Sequence, residues 1–404
     1  MTRTMTTLAR PRPAAPVLAA PSGAAPSLDP RIEDARLGDP RRAARAAVLR
    51  AHGATDAEAA ELLAYGDGDA CTLPSPPPFP LADEPFAAAW DEYVAAADRG
   101  GAWPVLREVL VQLRFPVRAG MSESPEYRRA TRAGDLSGVP ERGVTLENAA
   151  GLRIWMHATP AGRVPVILAG TRADFETLVR AITARNEPKP LPGSMGACIV
   201  AGYPNWDRVA RHRRAWAAAH PSGDWGEEFR ALVPRRELYQ DRFIILSPGP
   251  YSGVPASAAG RTEQEWARES VALRLEHECA HYFTRRVLGS MRNTLRDELV
   301  ADFAGIRAAA GRFRADWLLG FLGLESFPAY RPGGRLENYR GTLSDGAFIV
   351  LQRLAHAAAV QLAAFAAALP HAADDDARAA VLLTLCAHSL EEIASGALAG
   401  AAGC

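Results

Sequence analysis

The stretch LEHECAHYF, residues 275–283, decides how the rest of the chain is read. His277 and His281 stand four positions apart, and Glu278 directly follows the first. Four residues of an α-helix advance about 400°, so both imidazoles leave one face, one turn apart, and can reach the same ion. The surrounding residues support a helix. TEQE at 262–265 has the form of a capping box, with Thr262 as cap and Glu265 three positions on, and Gly289 follows the last turn. The spacing therefore predicts a helix from about 263 to 288. Cys279, two positions past His277, points about 200° away and is expected in the packed core rather than on the ion.

Catalytic zinc sites commonly use three protein ligands and leave a fourth position open, and neutral imidazoles at i and i+4 supply two of the three. Glu278 gives the pattern its chemistry. A purely structural site has no use for a carboxylate beside the first histidine, whereas hydrolysis needs a general base near the attacking water.

The third ligand is sought downstream, in NTLRDELVADFAGIRAAAG, residues 293–311. This reads as a second helix that starts near Asn293 or Thr294 and is closed by Gly311. Glu298 and Asp302 lie four apart on one of its faces. Glu298 is 298 − 281 = 17 positions past the second histidine, enough for the first helix to end, turn and return antiparallel. Glu298 can then complete the site, and Asp302, one turn on, can accept the free ring N–H of a ligand histidine. The competing reading makes both surface carboxylates. Against it stand their apolar neighbours Leu299, Val300 and Phe303.

HECAH followed by ELVAD resembles the gluzincin arrangement of thermolysin-like zinc metallopeptidases. The resemblance covers only about residues 277–302. It implies His277, His281 and Glu298 as metal ligands to Zn2+, Glu278 as general base on zinc-bound water and proton shuttle, and Asp302 as partner of a ligand histidine. The longer run HYFTRRVLGSMRNTLRDELVADF also resembles an uncharacterised bacterial family. By the same resemblance the strand RFIILSP, 242–248, is expected at a sheet edge beside the active-site helix, where an extended peptide can add; an ordinary core strand is the alternative. The glutamate spacing departs from that of thermolysin, and no second motif supplies its oxyanion-steadying tyrosine and histidine. Arg292, Tyr330, Tyr339, Arg340 and His356 are the candidates for that role. Cys404 is a remote candidate for a thiolate on the metal.

Outward from this motif the chain changes character twice. The first 35 residues are Pro/Ala-rich and are expected to be a disordered tail. Residues 36–150 read as helical, with a proline-rich connector at 71–83. Residues 151–261 carry short β-branched runs at 152–158, 164–170, 196–202 and 242–248, with AGR as a hairpin turn and a helix at 174–186. Asn205 and Trp206, at the end of the third run, are candidates to line a cleft. Residues 262–404 form a helical metal-site region, in which the loop 324–346 is a candidate lid. The expected fold class is α+β, mainly helical: a small β-sheet followed by a helical, zincin-like half with the HExxH helix.

Charge narrows the function classes. Lys plus Arg and Asp plus Glu both number 46, so no net field draws in a polyanion, and no nucleic-acid partner is expected. The basic run RVARHRRAW, 208–216, reads as a solvated helix face. Five scattered cysteines without a CxxC pair fit a reducing compartment, and no secretory leader or membrane-spanning run is recognised, so a cytoplasmic protein is expected. The expectation is a zinc-dependent hydrolase, in the first place a metallopeptidase, acting on a peptide or a small amide or ester. The alternative is a non-catalytic zinc-containing protein that binds a peptide or partner.

Overall fold

The apolar runs of the middle region pair into one four-stranded sheet with strand order β1-β2-β4-β3: β1 Arg153–His157, β2 Val164–Leu168, β3 Ala197–Pro204 and β4 Gln240–Leu246. In this computed structural model the described residues are 39–68, 70–73, 75–140, 142–289, 294–370 and 374–400. The expected tail at 1–35 lies outside them. The chain divides into a short N-terminal unit, Met1–Ala44, and a body, Arg45–Cys404.

β1 and β2 form the expected antiparallel hairpin, turning through Gly162 at φ +86°, which a side chain rarely adopts. β2 runs parallel to β4, and β3 antiparallel to it. β4 is therefore an interior strand, and the expectation that 242–248 forms the edge is corrected. Its four residues Phe243 to Leu246 are each fully buried, as a strand covered on both faces requires. The edge on that side is β3, which carries a bulge between Ala201 and Tyr203, Gly202 at φ +75° and Pro204. These residues suit a strand with one unpaired side.

The period of two along the inner strands sends side chains into two cores. Val164, Val166, Leu168, Ile244 and Leu246 enter one; Ile167, Phe243 and Ile245 enter the other. The helices follow in chain order: α1 Pro40–Ala51, α2 Asp56–Tyr65, α3 Ala87–Gly100, α4 Ala102–Val109, α5 Pro125–Ala133, α6 Arg172–Thr183, α7 Trp206–Ala219, α8 Trp225–Leu232, α9 Ala256–Ala259, α10 Glu263–Val287, α11 Leu295–Ala310, α12 Ala315–Leu322, α13 Asp345–Ala368, α14 Asp375–Cys386 and α15 Leu390–Ala394. Residues of α3, α4 and α6 fill the second core. The first core takes residues of α10 to α15 and also Leu49, Leu62 and Leu63 of α1 and α2. With 58% of the described residues in helix and 8% in strand, the fold is α+β and mainly helical, as the sequence predicts.

The HExxH motif lies on α10, which starts at a full Thr262–Glu265 capping box. Gly289 (φ +66°) follows its end, and α11 is closed by Gly311 at φ +70°. The two helices are antiparallel: Glu298 faces His277 and His281, while Gly305, two turns on, faces Leu273. Gly305 lets them come close, since a Cβ there would stand 2.6 Å from the Leu273 carbonyl oxygen.

The basic run sits on α7, but one of its arginines is not solvated. Arg208 is buried on Asp241 at 2.7 Å. Among the described residues, α13 alone is long and apolar enough to cross a membrane by length and composition, a segment the sequence reading did not expect. Leu351, Leu354, Ala355 and Ala358 of this helix lie in the first core.

Candidate metal centre

Three side chains from two helices converge at the motif. The Nε2 atoms of His277 and His281 are 3.2 Å apart. His277 Nε2 lies 3.4 Å from one carboxylate oxygen of Glu298, and His281 Nε2 lies 3.5 Å from the other. Tetrahedral donors at about 2.0–2.1 Å from zinc are separated by roughly 3.3–3.4 Å. The two imidazole nitrogens stand at about that spacing and each faces its own oxygen of Glu298 at about that spacing, so the residues present fit such an ion. His277, His281 and Glu298 are all nearly buried. Burial opposes the charge of Glu298, but the adjoining His277 and His281 side chains outweigh it and hold the carboxyl well below the usual range.

Behind the triangle lies a buried network. Asp302, fully buried, accepts from His277 Nδ1 at 3.0 Å. This bond puts a proton on Nδ1 and leaves the Nε2 lone pair facing the triangle. The Tyr251 hydroxyl donates to the same Asp302 oxygen at 2.7 Å, and Arg335 donates to that hydroxyl at 2.8 Å while pairing with the second Asp302 oxygen. Tyr251 is held in turn by α10: its backbone N–H donates to Ser270 Oγ at 3.0 Å, and Arg274 donates to the carbonyls of Ser247, Gly249 and Pro250. On the other side Tyr339 donates to Glu298 at 2.9 Å. Burial pushes the Tyr339 hydroxyl well above its usual range, so it stays a donor.

Glu278 sits beside the triangle, half-buried. None of the described residues gives it a hydrogen bond. Burial pushes its carboxyl up, the charges of His277 and His281 pull it down, and Glu298 pushes it up again, with a net rise. A carboxyl so raised and otherwise unpartnered has the character of a proton acceptor.

Of the residues singled out from sequence, His277, His281, Glu298, Glu278 and Asp302 thus come together. The oxyanion candidates do not. Tyr330 donates to the Gly334 carbonyl, Arg340 pairs with Asp345, and His356 stacks on Phe327 with ring centroids 4.1 Å apart. Tyr339 reaches the centre, but on Glu298. Arg292 and Cys404 lie outside the described residues. Asn205 caps α7 and binds Asp241 at 2.7 Å, and Trp206 donates to the Thr131 carbonyl, so both support packing and not a cleft. The loop 324–346 is a wall here: its Arg335 and Tyr339 are inserted against Asp302 and Glu298. Cys279 is in the first core, as expected.

Tyr251 and Arg335 were not found from sequence, nor was a second group on the back of α10. There Glu276 accepts from His157 at 2.9 Å and from Arg378 at 2.8 Å, near Cys279. Burial disfavours the Glu276 charge, but these two partners outweigh it and hold the carboxyl low. The arginine already neutralises that carboxylate, so this group reads as an ion-pair clasp between β1, α10 and α14.

No curated protein and no solved structure matches the chain. A family profile matches residues 47–397, and the chain belongs to that family, the family of unknown function DUF7005.

Proposed function

We propose that the protein is a zinc-dependent hydrolase of the peptidase type. The observation that carries this reading is the His277–His281–Glu298 triangle, with edges of 3.2, 3.4 and 3.5 Å, beside the unpartnered Glu278. Two imidazoles and a carboxylate suit zinc, which when bound would polarise a substrate carbonyl and acidify water. Glu278 takes a proton from the attacking water as the new C–O bond forms, and delivers it to the leaving nitrogen as the C–N bond breaks. Asp302 keeps His277 in the tautomer that offers Nε2. Tyr251 and Arg335 hold Asp302 in place, and Tyr339 orients Glu298.

A second reading, a zinc-containing protein that binds a peptide without cleaving it, is favoured by the commitments of Tyr330, Tyr339, Arg340 and His356 described above. Glu278→Gln separates the two. It preserves size and removes the base, so the variant should bind zinc as the parent does and lose hydrolysis of a peptide library by about a hundredfold or more. Cleavage at the parent rate by the folded, metal-loaded variant would refute the mechanism.

A further inference from the structure

One large cleft lies along the unpaired side of β3. Its volume is about 630 Å3, and β3 residues Ile199 to Pro204 form its floor. Four arginines line it, Arg128, Arg132, Arg185 and Arg285, and no carboxylate does among the described residues. Arg128 is paired with Glu123. Arg132, Arg185 and Arg285 are exposed, and none of them makes a hydrogen bond or ion pair with the described residues.

Two details show that this charge is built in. Arg185 and Asn186 are consecutive non-glycine residues with positive φ, +55° and +60°. Such backbone costs on the order of 1–3 kcal/mol per residue and persists only where its surroundings enforce it. Fully buried Asn186 does so, donating through Nδ2 to the carbonyls of Gln112 at 3.0 Å and Phe115 at 2.8 Å. The enforced backbone thus holds Arg185, which has no hydrogen bond or ion pair among the described residues, at this cleft. The second detail is Arg285. It continues the series 277, 281, 285 on α10, one turn beyond His281, about 6 Å along the helix axis. One lining residue of the cleft thus stands a single helical turn from the candidate metal centre.

We infer that this cleft receives the acidic segment of a peptide substrate, an extended chain added to the open edge of β3 with its Asp or Glu carboxylates on Arg132, Arg185 and Arg285. The inference rests on the hydrolase reading for what happens to that chain, but not for its binding. The edge of β3 before its bulge, Ile199 to Ala201, offers main-chain hydrogen bonds to an extended backbone, and the arginines select its side chains. An extended chain advances about 3.3 Å per residue, so the carboxylate met by Arg285 falls about two residues from the scissile bond.

The test uses full-length protein carrying Glu278→Gln, loaded with zinc, and two fluorescein-labelled octapeptides, one alternating Glu and Ala, the other Gln and Ala. The Glu peptide should bind about tenfold tighter at low ionic strength, the sum expected of three exposed ion pairs, and the gap should close as salt is added. Replacing Arg132, Arg185 and Arg285 together by Gln should abolish the preference and leave the affinity of the Gln peptide unchanged. Because Arg185 holds a strained backbone, Arg285→Gln alone, at an exposed helix position, serves as the second variant and should lower the preference about twofold. Equal affinity for the two peptides, or a preference that survives in the triple variant, overturns the inference. A single-stranded oligonucleotide that binds as tightly as the Glu peptide overturns the peptide as occupant. Cleavage by the parent protein distinguishes the two levels: a Glu preference without cleavage supports the cleft and counts against the hydrolase, whereas cleavage of both peptides with equal kcat/KM refutes the cleft alone.

Discussion

Tyr339→Phe removes one hydroxyl and nothing else, and its effect can be worked out from the contacts it makes. That hydroxyl donates to Glu298 at 2.9 Å, in a site where Glu298 is only 9% exposed. Water has little room to replace the lost donor. A hydrogen bond to a charged group contributes about 1.5–3 kcal/mol, and each 1.4 kcal/mol is about tenfold in an equilibrium constant. If Glu298 is a ligand, its orientation depends on this bond, so zinc affinity should fall about 10- to 100-fold. Competition against a chromophoric zinc chelator reads the change, with circular dichroism reporting that the fold is kept. Tyr330→Phe is the matched control, because that hydroxyl donates to the Gly334 carbonyl, away from the triangle; its zinc affinity should stay within about twofold. A folded Tyr339→Phe protein that binds zinc as tightly as the parent would refute the assignment of Tyr339 as the residue that orients a ligand.

Two further substitutions test how the centre is supported. Gly305→Ala brings a Cβ to 2.6 Å from the Leu273 carbonyl oxygen, backbone that cannot swing aside, so α10 and α11 must separate; urea unfolding should show a loss of about 1–3 kcal/mol, with weaker zinc binding because the ligands sit on both helices. Arg335→Met leaves Asp302, which is fully buried, with its charge uncompensated by the guanidinium; a loss of about 3–5 kcal/mol in the same assay is expected, and an unchanged midpoint would show that the pair does not stabilise the fold.

The legible part of the site was the part written locally. His277, Glu278 and His281 share one helix, and Glu298 and Asp302 share the next, so helical periodicity with one capping box and two terminal glycines was enough to bring them together. Tyr251, Arg335 and Tyr339 come from two short 3-10 helices, Tyr251–Gly253 and Arg335–Tyr339, with no period to relate them to residue 277. Tyr339 is a sequence candidate, but a tyrosine's partner is a matter of tertiary packing, and its hydroxyl turns to Glu298. The strands were also legible, and their order was not. A signal for the order was nonetheless present. FIIL at 243–246 is continuously apolar, as an interior strand must be, whereas 197–204 contains Gly202 and Pro204, residues that an interior strand tolerates poorly. Reading the two runs against each other would have put β3, and with it the arginine-lined cleft, at the edge.

The central claim is that His277, His281 and Glu298 hold one metal ion, and the most direct measurement is the zinc content and zinc X-ray absorption spectrum of full-length protein expressed with added zinc. The account predicts about one zinc per chain, with two imidazole nitrogens at about 2.0–2.1 Å and carboxylate oxygen at about 2.0–2.2 Å, and loss of that zinc in a protein with both His277 and His281 replaced by Ala. No stoichiometric zinc in the parent protein, or zinc retained in full after both histidines are removed, would contradict it.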